Sequence, residues 1–189
     1  LSLPLPPILE PISWIIGYWE TETIAGDRFP VSFQYPYKEV LDISISEVPM
    51  FDRPPVNVSV LAYTSEGSVH SEVGFMTGKP FHEATGFAEY NKSSHGTDQV
   101  AIEMVSNTVN PGITTIEEGE LHNGEIVLKL KYKRAVPPAL YYLPRKSRRS
   151  FKLQGWNILV EKTYVEESTG VIRKWIKRYR RTKDYLAQY

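Results

Sequence analysis

The chain has 189 residues, 22 Lys/Arg against 22 Asp/Glu and no cysteine. That is the length of one ordinary domain with a real core, and it excludes disulfides, thiolate catalysis and cysteine-based metal sites. Aromatic residues reach 12%, as in a β-rich protein with a large apolar interior, and no apolar run is long enough to cross a bilayer as a helix.

The opening Leu3-Pro4-Leu5-Pro6-Pro7 is an extended proline-rich lead, unlike a signal-peptide core. Ile8 to Gly17 reads as a short helix with proline early and glycine closing it, so 1–17 is expected to be a lead and cap. Beyond it the chain turns β. Strands are expected over Tyr18–Thr23, Val31–Gln34, Lys38–Ser46, Val56–Tyr63, Val69–Met76, Gly86–Tyr90 and Gln99–Ser106. Further strands are expected over Ile113–Leu121, Glu125–Lys133, Arg148–Gln154, Trp156–Tyr164 and Val171–Thr182. Turn residues separate many of them, and Asn123-Gly124 between two alternating runs marks a tight primed hairpin. A dozen short strands without a long amphipathic helix point to an all-β antiparallel barrel. Residues 78–98, rich in Gly, Ser and His, read as an insertion partly in loop, and no second domain is visible within 1–189.

The zero net charge hides an asymmetry. Residues 1–128 carry 5 Lys/Arg and 18 Asp/Glu, whereas 129–189 carry 17 and 4. Acidic early strands pairing with basic late ones as a sheet closes would account for it. A basic face for an anionic partner is the alternative.

Four blocks resemble the nitrobindin family, the heme-binding β-barrel domain found at the end of THAP4-like proteins. They are Pro4 to Trp14 followed by Gly17-Tyr18-Trp19; Phe33-Gln34-Tyr35 with Glu39-Val40; His70-Ser71-Glu72-Val73-Gly74-Phe75; and Asn107-Thr108, Gly112 and Glu117-Glu118-Gly119-Glu120. The resemblance implies a closed up-and-down barrel of about ten strands, calycin-like and similar to fatty-acid-binding proteins, wide enough for a ligand cavity. It also implies heme b, nitric oxide handling and peroxynitrite isomerisation. The sequence departs from the family at three places: Thr21 and Thr23 follow Trp19, residues 78–98 are longer, and Lys174 stands at the position of the histidine that holds the iron. The four histidines are His70, His82, His95 and His122, so none follows position 122.

Heme iron takes a neutral imidazole, thiolate, thioether or tyrosinate. A lysine would first have to lose its proton, at a cost of about 4–5 kcal/mol at neutral pH. His70 is the remaining donor, and by the resemblance it lies on the distal side; a polar strand residue at the cavity edge is its plainer reading. His82, His95 and His122 fall in loops or turns without metal-site spacing. Strand alternation groups Ile172, Lys174 and Ile176 on one face. Pointing inward, that face would suit a fatty-acid-like ligand with a carboxylate head; otherwise Lys174 extends to solvent at a barrel end. By the resemblance Trp14, Trp19, Phe33, Tyr35 and Phe75 line the cap and cavity wall, where ordinary core packing also accounts for them. The Glu117–Glu120 cluster reads as a solvated strand end. Three readings stand: a non-heme barrel for a small apolar or amphipathic ligand, a heme-dependent peroxynitrite isomerase, and an interaction module with a basic face. The cysteine-free composition fits a cytoplasmic setting, and no nucleic-acid partner is expected.

Overall fold

A computed structural model describes residues 5–47, 54–79, 81–82, 86–87 and 100–187. Ten strands form the barrel: β1 Gly17–Thr23, β2 Tyr37–Ile45, β3 Val56–Thr64, β4 Gly67–Lys79, β5 Val100–Val109, β6 Ile113–His122, β7 Glu125–Ala135, β8 Lys146–Gln154, β9 Ile158–Glu166 and β10 Ile172–Lys183. Each pairs antiparallel with its sequence neighbour, and β1 closes the ring on β10. The fold class read from the sequence is therefore the one observed.

The apolar half of the interior lies at the end where β1 begins. There a 3-10 helix, Pro7–Ile15, buries Leu9, Ile12 and Ile15 against Trp19, Leu41, Ile43, Met76, Ile102 and Leu128. Each fully buried aliphatic side chain contributes roughly 1.5–3 kcal/mol. Gly17 opens β1 rather than closing the helix; its φ is +154°, and a Cβ there would come within 2.9 Å of the Lys183 carbonyl oxygen. Trp19 ties helix to barrel. Its indole donates to the Ile15 carbonyl at 2.9 Å, and the Arg181 guanidinium lies 4.4 Å over its ring while donating to the Trp14 carbonyl.

The Asn123-Gly124 turn has φ values of 51° and 70°, and His122 faces Glu125 across it, as a primed hairpin requires. Three expectations need correction. Val31–Gln34 is not a barrel strand: only Ser32–Phe33 pair, with Gly26–Asp27, in a small hairpin over the mouth. Trp156 lies in the β8–β9 turn and is 77% exposed, so β9 begins at Ile158. Of the expected strand from Gly86, Gly86–Phe87 pair with Phe81–His82, and the rest lies outside the described residues.

Candidate functional site

The interior changes character halfway along the barrel axis. Above the apolar half, towards the end bearing the 24–36 and 136–145 segments, inward positions carry charge. Glu39, Glu72, Glu117 and Glu161 project from β2, β4, β6 and β9, and Arg149 and Lys177 from β8 and β10. Arg28 joins them from the segment between β1 and β2. All seven are at most 5% exposed, so each charge must be paired within the protein.

Arg149 is the hub. Its Nε donates to both Glu117 oxygens at 3.2 and 3.0 Å. Its terminal nitrogens donate to Glu72 at 3.3 and 3.0 Å, and Nη2 also reaches Glu117. This planar fork meeting two carboxylates suits arginine and not lysine. Lys177 donates to both oxygens of Glu39 at 3.0 and 2.8 Å, and Arg28 Nε lies 2.9 Å from the same carboxylate. The Tyr179 hydroxyl stands 2.6 Å from Glu39 and 2.9 Å from Glu161, and its one proton serves two carboxylates. Burial pushes the Glu72 carboxyl up, but Arg149 and Arg28 overcome it and hold it at about 2. Burial likewise raises Glu39, and Arg28 and Lys177 bring it below the usual carboxylate range.

Between this ionic layer and solvent sits a cleft of about 360 Å³, framed by Arg28, Phe29, Tyr141, Tyr142, Arg173 and Trp175. Phe29 is 3% exposed, and the Arg149 guanidinium lies 5.6 Å over its ring, so Arg28 and Phe29 together lid the network. Arg173 is held by Asp27 at 2.7 Å and by Glu167. Trp175 points inward opposite Thr163, in the row that continues to Arg149, and its Nε1–H is buried without a hydrogen-bond partner among the described residues.

The expected pocket residues separate into two sets. His70 and Trp19 are buried, and Phe33 is half-buried with its ring centroid 6.3 Å from that of His70. Phe75, Tyr35, Ile172 and Ile176 are 53%, 69%, 53% and 53% exposed, and Lys174 is exposed with Nζ 5.8 Å over the outward Tyr164 ring. The inward placement considered for Ile172, Lys174 and Ile176 is therefore corrected. Trp175, Lys177 and Tyr179 take the inward positions of β10, because the layer at that height is ionic and needs a cation opposite Glu39. Phe75 is outward for the matching reason, since His70, Glu72, Gly74 and Met76 hold the inward parity of β4. Gly74 is dictated by strand contact: a Cβ there would lie 2.0 Å from the Val105 carbonyl oxygen. Glu117 is also corrected, being wholly buried rather than solvated.

His70 Nδ1–H donates to the Asn110 carbonyl at 3.4 Å, which leaves the Nε2 lone pair buried and, among the described residues, unpartnered. Burial and the Arg28 charge depress the imidazole to about 4, so it is neutral near pH 7. A neutral imidazole is a competent iron donor, but His70 does not border the cleft. On β10 the inward donors are unsuited to iron: Lys177 is held by Glu39, and burial with Glu161 and Glu39 keeps the Tyr179 phenol protonated. The residues present therefore do not fit a heme held from β10.

Comparison with known proteins agrees with the barrel. Rv2717c from M. tuberculosis has a similar fold, with a TM-score of 0.64 at 17% identity over 95% of this chain and 99% of that one. The protein named peroxynitrite isomerase THAP4 is 32% identical over 122 residues in Rattus norvegicus and 29% identical over 122 in Homo sapiens; each alignment covers 65% of this chain. The match spans about a fifth of those relatives, 18% of their length. The family model described as the THAP4-like, heme-binding beta-barrel domain matches residues 8–174, and the chain belongs to that family.

Proposed function

We infer that this barrel is a non-heme member of its family that binds a small amphipathic ligand in the mouth cleft. The observation that carries the reading is Trp175, whose indole N–H is buried and, among the described residues, unpartnered on the inward face of β10, in the cleft framed by Phe29, Tyr141 and Tyr142. An orphaned buried donor costs about 1–3 kcal/mol, which an acceptor on a bound ligand would recover. The aromatic frame supplies contact for a flat apolar body. A long acyl chain running down the axis would have to displace Arg28 and the ion network beneath it, so a short ligand fits better than a fatty acid. Peroxynitrite isomerisation, the activity named for the relatives, is not carried over, because the family resemblance ties it to a β10 histidine that this strand lacks.

Titration with an anilinonaphthalene sulfonate, a compact aromatic anion, tests this. Saturable binding at one site is expected, weakened at least about tenfold by Trp175→Ala, which removes one hydrogen bond and a ring contact. Lys174→Ala, on the outer wall, should leave it unchanged. Binding indifferent to Trp175→Ala, or abolished by Lys174→Ala, would refute the cleft as the site.

A further inference from the structure

The outer wall of β8–β10 carries a second feature, independent of the cleft. Its outward positions include Arg148, Lys152, Lys162, Lys174 and Arg178, and Lys129 flanks them on β7. All six are exposed, and none makes an ion pair with a carboxylate among the described residues. Lys129 stands between Arg148 and Glu118 in the ladder, and Lys152 stands opposite Glu125, whereas Lys162 lies between Ser150 and Ile176 and Lys174 opposite Tyr164, with no carboxylate at those ladder positions. Of the acidic residues before position 128, Glu39, Glu72 and Glu117 are turned inward to Arg28, Arg149 and Lys177, and Glu118, Glu120 and Glu125 lie at the β7 edge of the wall, away from Lys162 and Lys174 on β9 and β10.

The wall is not only basic. Along β10 the outward residues run Ile172, Lys174, Ile176, Arg178, so aliphatic and cationic side chains alternate, and both isoleucines are 53% exposed. Ile176 sits opposite Lys162, and Trp156 projects from the adjoining β8–β9 turn at 77% exposure. Phosphate contacts alone give no role to exposed isoleucines. A lipid headgroup layer does: lysine and arginine meet the phosphates while isoleucine and tryptophan enter the boundary with the acyl chains. A concavity of about 740 Å³ beside β7 takes in Lys129, Arg148 and Lys152, but Glu118, Glu120 and Glu125 share it and its lining holds no Phe, Tyr or Trp on which bases could stack.

We propose that the outer wall of β8–β10 docks this domain on an anionic phospholipid surface. Co-sedimentation of the full chain with vesicles of phosphatidylserine and phosphatidylcholine, against phosphatidylcholine alone, tests it. Binding to the anionic vesicles only is expected, and it should be lost as salt rises from about 0.1 M to about 1 M, where the screening length falls from ~10 to ~3 Å. Lys162→Glu with Arg178→Glu should weaken it on the order of a hundredfold, since each basic residue contributes about a fivefold gain at such a surface. Ile176→Ser should weaken vesicle binding several-fold without altering the salt dependence. These positions are exposed, and unchanged binding of the aromatic anion at the mouth would show that the variants are folded. No binding to anionic vesicles overturns the proposal. So does tighter binding to single-stranded DNA that Ile176→Ser leaves intact, which would mark a nucleic-acid surface instead.

Discussion

Lys174 and Lys177 lie three residues apart on β10 and face opposite ways: Lys174 outward to Tyr164 and solvent, Lys177 into the barrel against Glu39. The sequence offered both lysines, but aliphatic Ile172 and Ile176 made the wrong parity look inward. Ordinary alternation, apolar in and polar out, fails where a barrel interior is ionic. His70 is legible as a buried donor because it shares parity with Glu72 and Gly74; its free Nε2 is not, since that follows from Asn110 on a distant turn. Its depressed value of about 4, against an ordinary 6.5, has a consequence for stability. Between those values the unfolded chain takes up the proton and the folded chain does not, so stability is complete above pH 6.5 and falls towards pH 4. About 2 kcal/mol is expected to be lost between pH 7 and pH 5 from this group. Urea melts at the two pH values should show the loss, and His70→Phe should flatten it; an equal slope in the variant would assign the loss elsewhere. Glu72, held at about 2 against an ordinary 4.5, adds most of its own loss below about pH 4.5, where the unfolded carboxylate is more than half protonated.

At the scale of elements, most strands were readable to within two residues, because turn residues such as Asn123-Gly124 and Thr169-Gly170 mark their ends. The family-like blocks also acquire physical meaning. In His70–Phe75 the inward parity supplies a histidine, a carboxylate and a glycine required by the close passage of β5. In Glu117–Glu120 only Glu117 points in, and it meets Arg149 from β8. No local pattern reveals that pairing, since 32 residues separate the partners. Arg149 therefore links β4, β6 and β8, and Arg149→Met should destabilise the barrel by about 3–5 kcal/mol, because two carboxylates lose their cation inside a dry interior. Adding Glu72→Gln and Glu117→Gln to it should restore a good part of that loss. Additive losses across the series, measured by denaturant unfolding, would show that the three residues do not act as a unit.

Over the whole molecule the acidic early half and basic late half do meet, but across the interior as well as along a ladder: Glu39 with Lys177 and Glu72 with Arg149 inside, Glu20 opposite Arg180 outside. Arg148, Lys162, Lys174 and Arg178 lie together on one outer wall of a chain of zero net charge, while other late cations pair singly, Arg145 with Glu166 and Arg173 with Asp27 among them. The same inward charges give the barrel a solid middle. Arg28 and Phe29 close it from above and the Pro7–Ile15 helix from below, leaving the mouth cleft as the space beside Trp175. The most direct test of this account is a hemin titration followed by absorption. The ionic interior and the β10 residues predict no sharp Soret band of a protein-ligated heme, in the unmodified chain or in Lys174→Ala. A sharp, saturable Soret band that His70→Ala abolishes would contradict it.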